Sequence, residues 1–235
     1  MLKGIIARRA EGTGAVPRCA FLLDVDLIDN DRGKAHLEGR IEHLVGPVAA
    51  ARFWAIYEQV RVEQDYVDLP LTLARFVDEL PEERNYCLVA SLILCYPYDA
   101  SLYIGSLRTI ETLRERGVVA ILSDGDPVFQ PAKIARSGLA QAIDGPVLIY
   151  RHKEKELADV RRRVPAQKYV LIDDKPGILF AAKRVMGEDL VTVHVRQGKY
   201  SSSPDPQGGA DVQVDSIAAV AQLDWNTSLA PSQAP

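Results

Sequence analysis

Residues 19–31 read CAFLLDVDLIDND, and the rest of the chain is organised around this stretch. Four consecutive apolar residues, 20–23, end abruptly in Asp24-Val25-Asp26. An apolar run of that length closed by turn-forming acids reads as a buried strand. In a parallel sheet the loops at the carboxyl ends of the strands line the ligand crevice. Asp24 and Asp26 are therefore expected at that crevice. Two carboxylates held so close repel each other unless a cation lies between them, and a hard divalent ion with oxygen ligands suits them. The plainer alternative is that the two acids merely cap the strand or open a turn.

Downstream, residues 31–104 carry no strand pattern. Helical periodicity is expected over 35–44, 47–64, 71–80 and 82–96, which together make a small bundle inserted between the first strand and the next. In the second helix Phe53, Trp54, Ile56, Tyr57 and Val60 form an apolar stripe read as bundle core, so Arg52, Trp54, Tyr57 and Arg61 receive no role in the site. From residue 101 the pattern changes. A helix over 102–116 precedes a strand over 118–122 that runs into Ser123-Asp124-Gly125-Asp126. A helix over 130–137 and a strand over 147–150 follow. A charged helix over 153–163 leads to a strand over 169–172, which ends in Asp173-Asp174. A helix over 176–185, strands over 190–195 and 211–214 and a closing helix over 216–223 complete the series. Strands alternating with helices of this length indicate right-handed crossovers and a parallel sheet.

Composition narrows the partners. The 235 residues allow one large domain with an inserted subdomain, and 47% hydrophobic residues allow a sizeable core. A net charge of −4 offers no general attraction to nucleic acid. The three cysteines, Cys19, Cys87 and Cys95, form no CxxC pair, which fits a reducing compartment. No apolar run is long enough to span a bilayer, and the first residues lack the apolar core of a secretory signal. A cytoplasmic protein, monomer or homodimer, without nucleic-acid or membrane partners is expected.

Three strands thus end in polar clusters, Asp24/Asp26, Ser123/Asp124 and Asp173/Asp174, and a fourth is followed by His152-Lys153-Glu154-Lys155. A sheet needs polar residues where its strands leave the core, but not acid pairs at two separate exits. These residue types fit phosphoryl transfer: a carboxylate nucleophile, a magnesium ion between enzyme and phosphate, a hydroxyl and an ammonium on the remaining oxygens, and a second carboxyl for proton transfer.

The order Asp-x-Asp, Ser, Lys, Asp-Asp resembles the haloacid dehalogenase (HAD) superfamily of phosphatases over residues 20–224. The resemblance implies an α/β fold, a Rossmann-like three-layer sandwich with a parallel sheet and an inserted helical cap. It divides the chain into a flexible extension (1–18), a core (19–30 and 105–224), a cap (31–104) and a disordered tail (225–235). Asp24 matches the nucleophile and Asp26 the general acid/base. Ser123 matches the phosphate-binding hydroxyl. Lys153 best matches the phosphate-binding lysine by its spacing ahead of Asp173; Lys133 competes for the role, but PAKIARSGL reads as an ordinary surface helix. Asp173 and Asp174 match the acidic pair of the magnesium site, completed by Asp24 and Asp26. An acid at the Asp26 position favours phosphatase over dehalogenase.

The resemblance therefore implies a magnesium-dependent phosphatase acting through an aspartyl-phosphate on a small phosphorylated metabolite. Two alternatives stand beside it, a non-catalytic scaffold of the same fold and a dehalogenase or phosphonate-cleaving enzyme. The first is motivated by one departure: the family's Gly/Asn-Thr pair after the second acid is missing, and Asp26 runs straight into Leu27-Ile28-Asp29.

Overall fold

The computed structural model describes residues 16–204 and 209–225. Most of the expected extension and tail fall outside these residues. Trp225, placed in the tail on sequence, is instead buried, its ring edge-on to Phe21 with centroids 5.2 Å apart.

Six strands form one parallel sheet: β1 (Cys19–Leu23), β2 (Val118–Asp124), β3 (Val147–Tyr150), β4 (Lys168–Asp173), β5 (Leu190–Val195) and β6 (Val212–Val214). Their order is β3-β2-β1-β4-β5-β6. The central strands are apolar in consecutive positions because both faces are covered. Phe21, Leu23, Val119, Ile121, Val170 and Ile172 point into one core, and Ala20, Leu22, Ala120, Leu122, Tyr169 and Leu171 into the other. The strand order reverses at β1, between its neighbours β2 and β4. In a doubly wound sheet that switch point, at the carboxyl ends, is where ligands bind.

The helices of the insert are α1 (Asn30–Gln64), α2 (Leu69–Glu79) and α3 (Tyr86–Leu94). The two helices expected over 35–64 are the arms of α1, broken at Gly46, whose backbone is non-helical (φ 79°, ψ 164°), immediately before Pro47. Pro47 lacks an N–H and disfavours helical geometry at the residue before it, which places the break. The arms, α2 and α3 share a core of Phe53, Ile56, Val60, Phe76, Val89 and Ile93. The third and fourth helices are shifted or shorter than expected, since residues 82–85 are taken up by turns rather than helix.

The remaining helices belong to the sandwich: α4 (Ser106–Arg114), α5 (Phe129–Arg136), α6 (Leu139–Ala142), α7 (Leu157–Arg163), α8 (Pro176–Met186) and α9 (Ile217–Val220). No helix among the described residues is long and apolar enough to cross a membrane. The three cysteines are unpaired, Cys19 buried and Cys87 and Cys95 exposed.

Two of the contacts that tie the insert to the sandwich lie beside the switch point. The insert's entry and exit segments are clamped together: Ile28 bridges Leu102, the Tyr103 N–H donates to Leu27 at 3.0 Å, and the Asp29 N–H donates to Ser101 at 2.7 Å. The Asp29 carboxylate then caps α1 by accepting the Arg32 N–H at 2.9 Å. Where the resemblance leads one to expect a Gly/Asn-Thr pair, a short 3-10 turn, Val25–Leu27, leads straight to the clamp.

The second contact is Asp126, buried in the loop after β2. It accepts the Val128 and Phe129 N–H groups at 2.8 and 2.7 Å and, from the insert, the Leu69 N–H at 3.3 Å. Asp126→Ala leaves these buried donors without their acceptor, at a cost of about 3 kcal/mol. In a domain of this size that lowers the melting temperature by roughly 6–12 °C. Thermal unfolding followed by circular dichroism checks it, with Asp126→Asn, which keeps one acceptor oxygen for the Val128 and Phe129 N–H groups, expected to lose less.

Candidate active site

Asp24 stands one residue past β1, its N–H donating to Ile172 of β4 at 3.1 Å. Extended backbone at Asp24 (φ −75°, ψ 170°) lets its Oδ1 cap the following turn by accepting the Val25 N–H at 2.7 Å. Oδ2 is 2.7 Å from Lys153 Nζ. The same ammonium lies 2.6 Å from Oδ2 of Asp173, the last residue of β4. One lysine therefore holds together the acids that leave the two strands at the switch point.

Lys153 is completely buried, on the 3-10 turn after β3 rather than on the helix expected there. Its N–H donates to Asp124 Oδ1 at 2.8 Å and its Nζ lies 3.4 Å from the Leu122 carbonyl. Backbone and side chain are thus both fixed from β2. Lys175, which begins the approach to α8, adds a second ammonium, 3.9 Å from Asp24 and 4.0 Å from Asp124. Its N–H donates to Asp173 Oδ1 at 2.8 Å, and its ammonium lies over the Tyr200 ring.

Ser123, the penultimate residue of β2, is buried and accepts a hydrogen bond from Gln130 Nε2 at 2.8 Å. That contact depends on Gly125, where a Cβ at φ +155° would lie 3.0 Å from the Gln130 side chain.

Burial pushes the Asp24 carboxyl up, but Lys153 and then Lys175 overcome it and hold the group down at about 2. Burial likewise raises Asp173, and there Lys153 does not fully offset it, because the Asp24 charge adds to the rise. Asp124 is raised too, by burial first. Asp24 is therefore held as a carboxylate, the form in which a carboxyl group can act as a nucleophile.

Asp24, Ser123, Asp124, Asp174 and Lys175 line a cavity of about 410 Å³, with Lys153 and Asp173 buried beneath its wall. That volume suits a small ligand. The insert supplies the opposite wall, including Lys34, Trp54, Tyr57 and Arg61. This corrects the reading of the Trp/Tyr stripe as bundle core: only Phe53, Ile56 and Val60 of that stripe are fully buried, while Trp54 and Tyr57 face the cavity. Arg52, by contrast, is exposed and paired with Glu79.

Of the residues singled out on sequence, the structure brings together Asp24, Ser123, Lys153, Asp173 and Asp174 at one rim. The side chain of Asp26 lies outside the described residues. Asp124 was named only as a member of the Ser123/Asp124 cluster, without a role, and Lys175 was not singled out, although it adjoins Asp174. Lys133 is not on an ordinary surface helix: it is only 7% exposed and lines the cavity.

The donor set bears on magnesium. Among the described residues no group of three or more His, Cys, Asp or Glu side chains forms a ready-made metal cage. Magnesium is usually held by one or two carboxylates, with waters and substrate phosphate completing the shell. Asp24 and Asp174, hard oxygen donors in one cavity wall, fit that requirement. Asp173 is engaged instead by Lys153 and by the Lys175 N–H.

No protein-family model matches the chain and no curated protein does. Among solved structures it is similar to a protein of Burkholderia xenovorans LB400 assigned as a haloacid dehalogenase-like hydrolase, at 41% identity and a TM-score of 0.81, covering 88% of this chain and 98% of that one. Two more distant likenesses speak to the fold alone. The HAD-hydrolase YfnB of Bacillus subtilis, bound to magnesium, is 13% identical with a TM-score of 0.59, over 87% of this chain and 97% of that one. The L-2-haloacid dehalogenase of Xanthobacter autotrophicus is 14% identical with a TM-score of 0.57, over 86% and 96%.

Proposed function

The chain belongs to the haloacid dehalogenase-like (HAD) hydrolases, and from that premise we propose that it is a magnesium-dependent phosphatase of small phosphomonoesters. The observation that carries the reading is the array at the switch point. An ionised Asp24 in the cavity wall is flanked by two ammonium groups, Lys153 and Lys175, with the Ser123 hydroxyl on the neighbouring strand. A phosphoryl group has several anionic oxygens to neutralise, and this set supplies donors for them.

Asp24 attacks phosphorus, and the bond from phosphorus to the leaving oxygen breaks. Asp26 gives that oxygen its proton. Water then attacks the aspartyl-phosphate, Asp26 takes a proton from it, and the bond between phosphorus and the Asp24 oxygen breaks. Ser123, Lys153 and Lys175 hold the phosphoryl oxygens, and Asp124 fixes Lys153 through its backbone N–H. Magnesium, held by Asp24 and Asp174, would supply charge neutralisation between the carboxylate and the phosphoryl oxygens. The helical insert closes the cavity and excludes water. A small phosphorylated metabolite in the cytoplasm is the substrate this reading expects.

Release of inorganic phosphate from a panel of phosphomonoesters, with magnesium and with excess EDTA, tests it. Turnover with magnesium that EDTA abolishes is expected. Halide release from 2-chloropropionate without any phosphate release would replace this reading with a dehalogenase, and no turnover of either class would favour the scaffold.

A further inference from the structure

Lys133 is a buried ammonium that the proposed chemistry does not use. It lies on α5, its Nζ donates to the Asn30 side-chain oxygen in the first turn of α1, and the Tyr98 ring lies 6.0 Å away. All three residues line the cavity. The lysine is only 7% exposed and lines the cavity, and a cation so far from bulk water interacts strongly with an anion brought beside it.

Its position relative to the reactive end follows from the helix. Gln130 and Lys133, three residues apart, share one face of α5. Gln130 touches Ser123 at 2.8 Å, and the Lys133 backbone stands about 4.5 Å, less than one helical turn, along the axis from that of Gln130. Asn30, with its carbonyl turned to Lys133, keeps an amide NH2 as a second donor type at the same place.

We propose that Lys133 and Asn30 form a second anion-reading position, and that the substrate is a phosphomonoester whose leaving alcohol carries a carboxylate on a short chain. The proposal rests on the phosphatase reading for its phosphate end only. One ammonium and one amide suit a planar monoanion, whereas the phosphate end commits two ammonium groups and a hydroxyl to its dianion. The short separation limits the linking chain to a few carbons. Lys133 is in this sense a specificity residue, since it touches the part of the substrate that does not react.

The test compares the phosphate monoester of 3-hydroxypropionate with propyl phosphate, matched in length and differing in the carboxylate. The wild-type protein is expected to favour the carboxylate ester in kcat/KM by about tenfold or more, the worth of one charge-assisted hydrogen bond. Lys133→Met should bring the ratio to within about twofold, chiefly through KM, while Lys133→Arg retains part of the preference. A purely structural lysine would lower both rates together and leave the ratio alone. Equal wild-type rates, or a preference that survives Lys133→Met, would overturn the proposal.

Calorimetric binding of the same two esters to Asp24→Asn and to Asp24→Asn/Lys133→Met separates this proposal from the phosphatase reading. Carboxylate-dependent binding that needs Lys133, in a protein without phosphatase activity, would uphold the second site and sink the proposed reaction. Equal binding of the two esters to Asp24→Asn, or binding of neither, would sink the second site. Should Lys133→Met fail to fold, the wild-type ratio and Lys133→Gln carry the same decision.

Discussion

Asp24→Asn is expected to lower phosphate release by about 10⁴- to 10⁶-fold, the range seen when a nucleophile is removed. The substitution is nearly isosteric. Asparagine keeps an oxygen for the Val25 N–H at the Oδ1 position, and Lys153 keeps Asp173. What is lost is the charge-assisted bond between Lys153 and Oδ2, worth about 1.5–3 kcal/mol, so the variant should fold with a modestly lower melting temperature. Removing one negative charge beside the phosphoryl position also relieves repulsion, and phosphate should bind Asp24→Asn at least as tightly as wild type. Phosphate release, thermal unfolding and phosphate binding on the same preparation make the check. Activity within tenfold of wild type would remove Asp24 from the nucleophile role, because no amide can replace the carboxylate in that step.

The site was legible in the sequence to the extent that strand ends announce themselves. Asp24, Ser123 and Asp173 each terminate or follow an apolar run of about five residues, and one topological rule gathers such ends on one rim. Asp124 and Lys175 escaped for the opposite reason. Each adjoins a residue already assigned, and sequence alone does not tell which of two adjacent polar side chains turns inward. The bond from Leu69 to Asp126 was not readable either, since it joins elements distant in the chain.

The insert was the least legible part. Its helices were visible from their periodicity, and Gly46-Pro47 broke α1 where a break was expected. Period alone could not divide the stripe between two destinations, however. A helix lying between a bundle and a cavity shows one wide apolar-aromatic face, and only packing shows that Phe53 turns into the bundle while Trp54 and Tyr57 wall the cavity. Lys133 was misjudged by the same logic. On sequence it is one more charge on a polar helix; the Asn30 and Tyr98 side chains that cover it come from residues far away in the chain.

The second large effect concerns stability as much as chemistry. Lys153→Met leaves Asp24 and Asp173 buried side by side without the ammonium that lies 2.7 and 2.6 Å from them. Removing one partner of a buried ionic group costs about 3–5 kcal/mol, which in a domain of this size lowers the melting temperature by roughly 6–20 °C. The pH dependence identifies the cause. In the metal-free wild-type protein the Asp24 carboxyl is held at about 2, below its ordinary value of 3.8. Its contribution to stability is therefore complete above the ordinary value and is lost as pH falls through the folded value. Asp173 is raised, so its ionisation opposes folding, and that penalty fades as pH falls through its folded value. Without Lys153 both carboxyls rise, since burial and mutual repulsion then act with less to oppose them. Acidification from pH 7.5 to 5 should therefore narrow the gap between Lys153→Met and wild type, as the variant neutralises its acids. Melting curves of both proteins at the two pH values, in EDTA, decide the matter. A gap that stays constant would mean that Lys153 stabilises by filling space rather than by balancing charge, and the electrostatic account of this rim would fail with it.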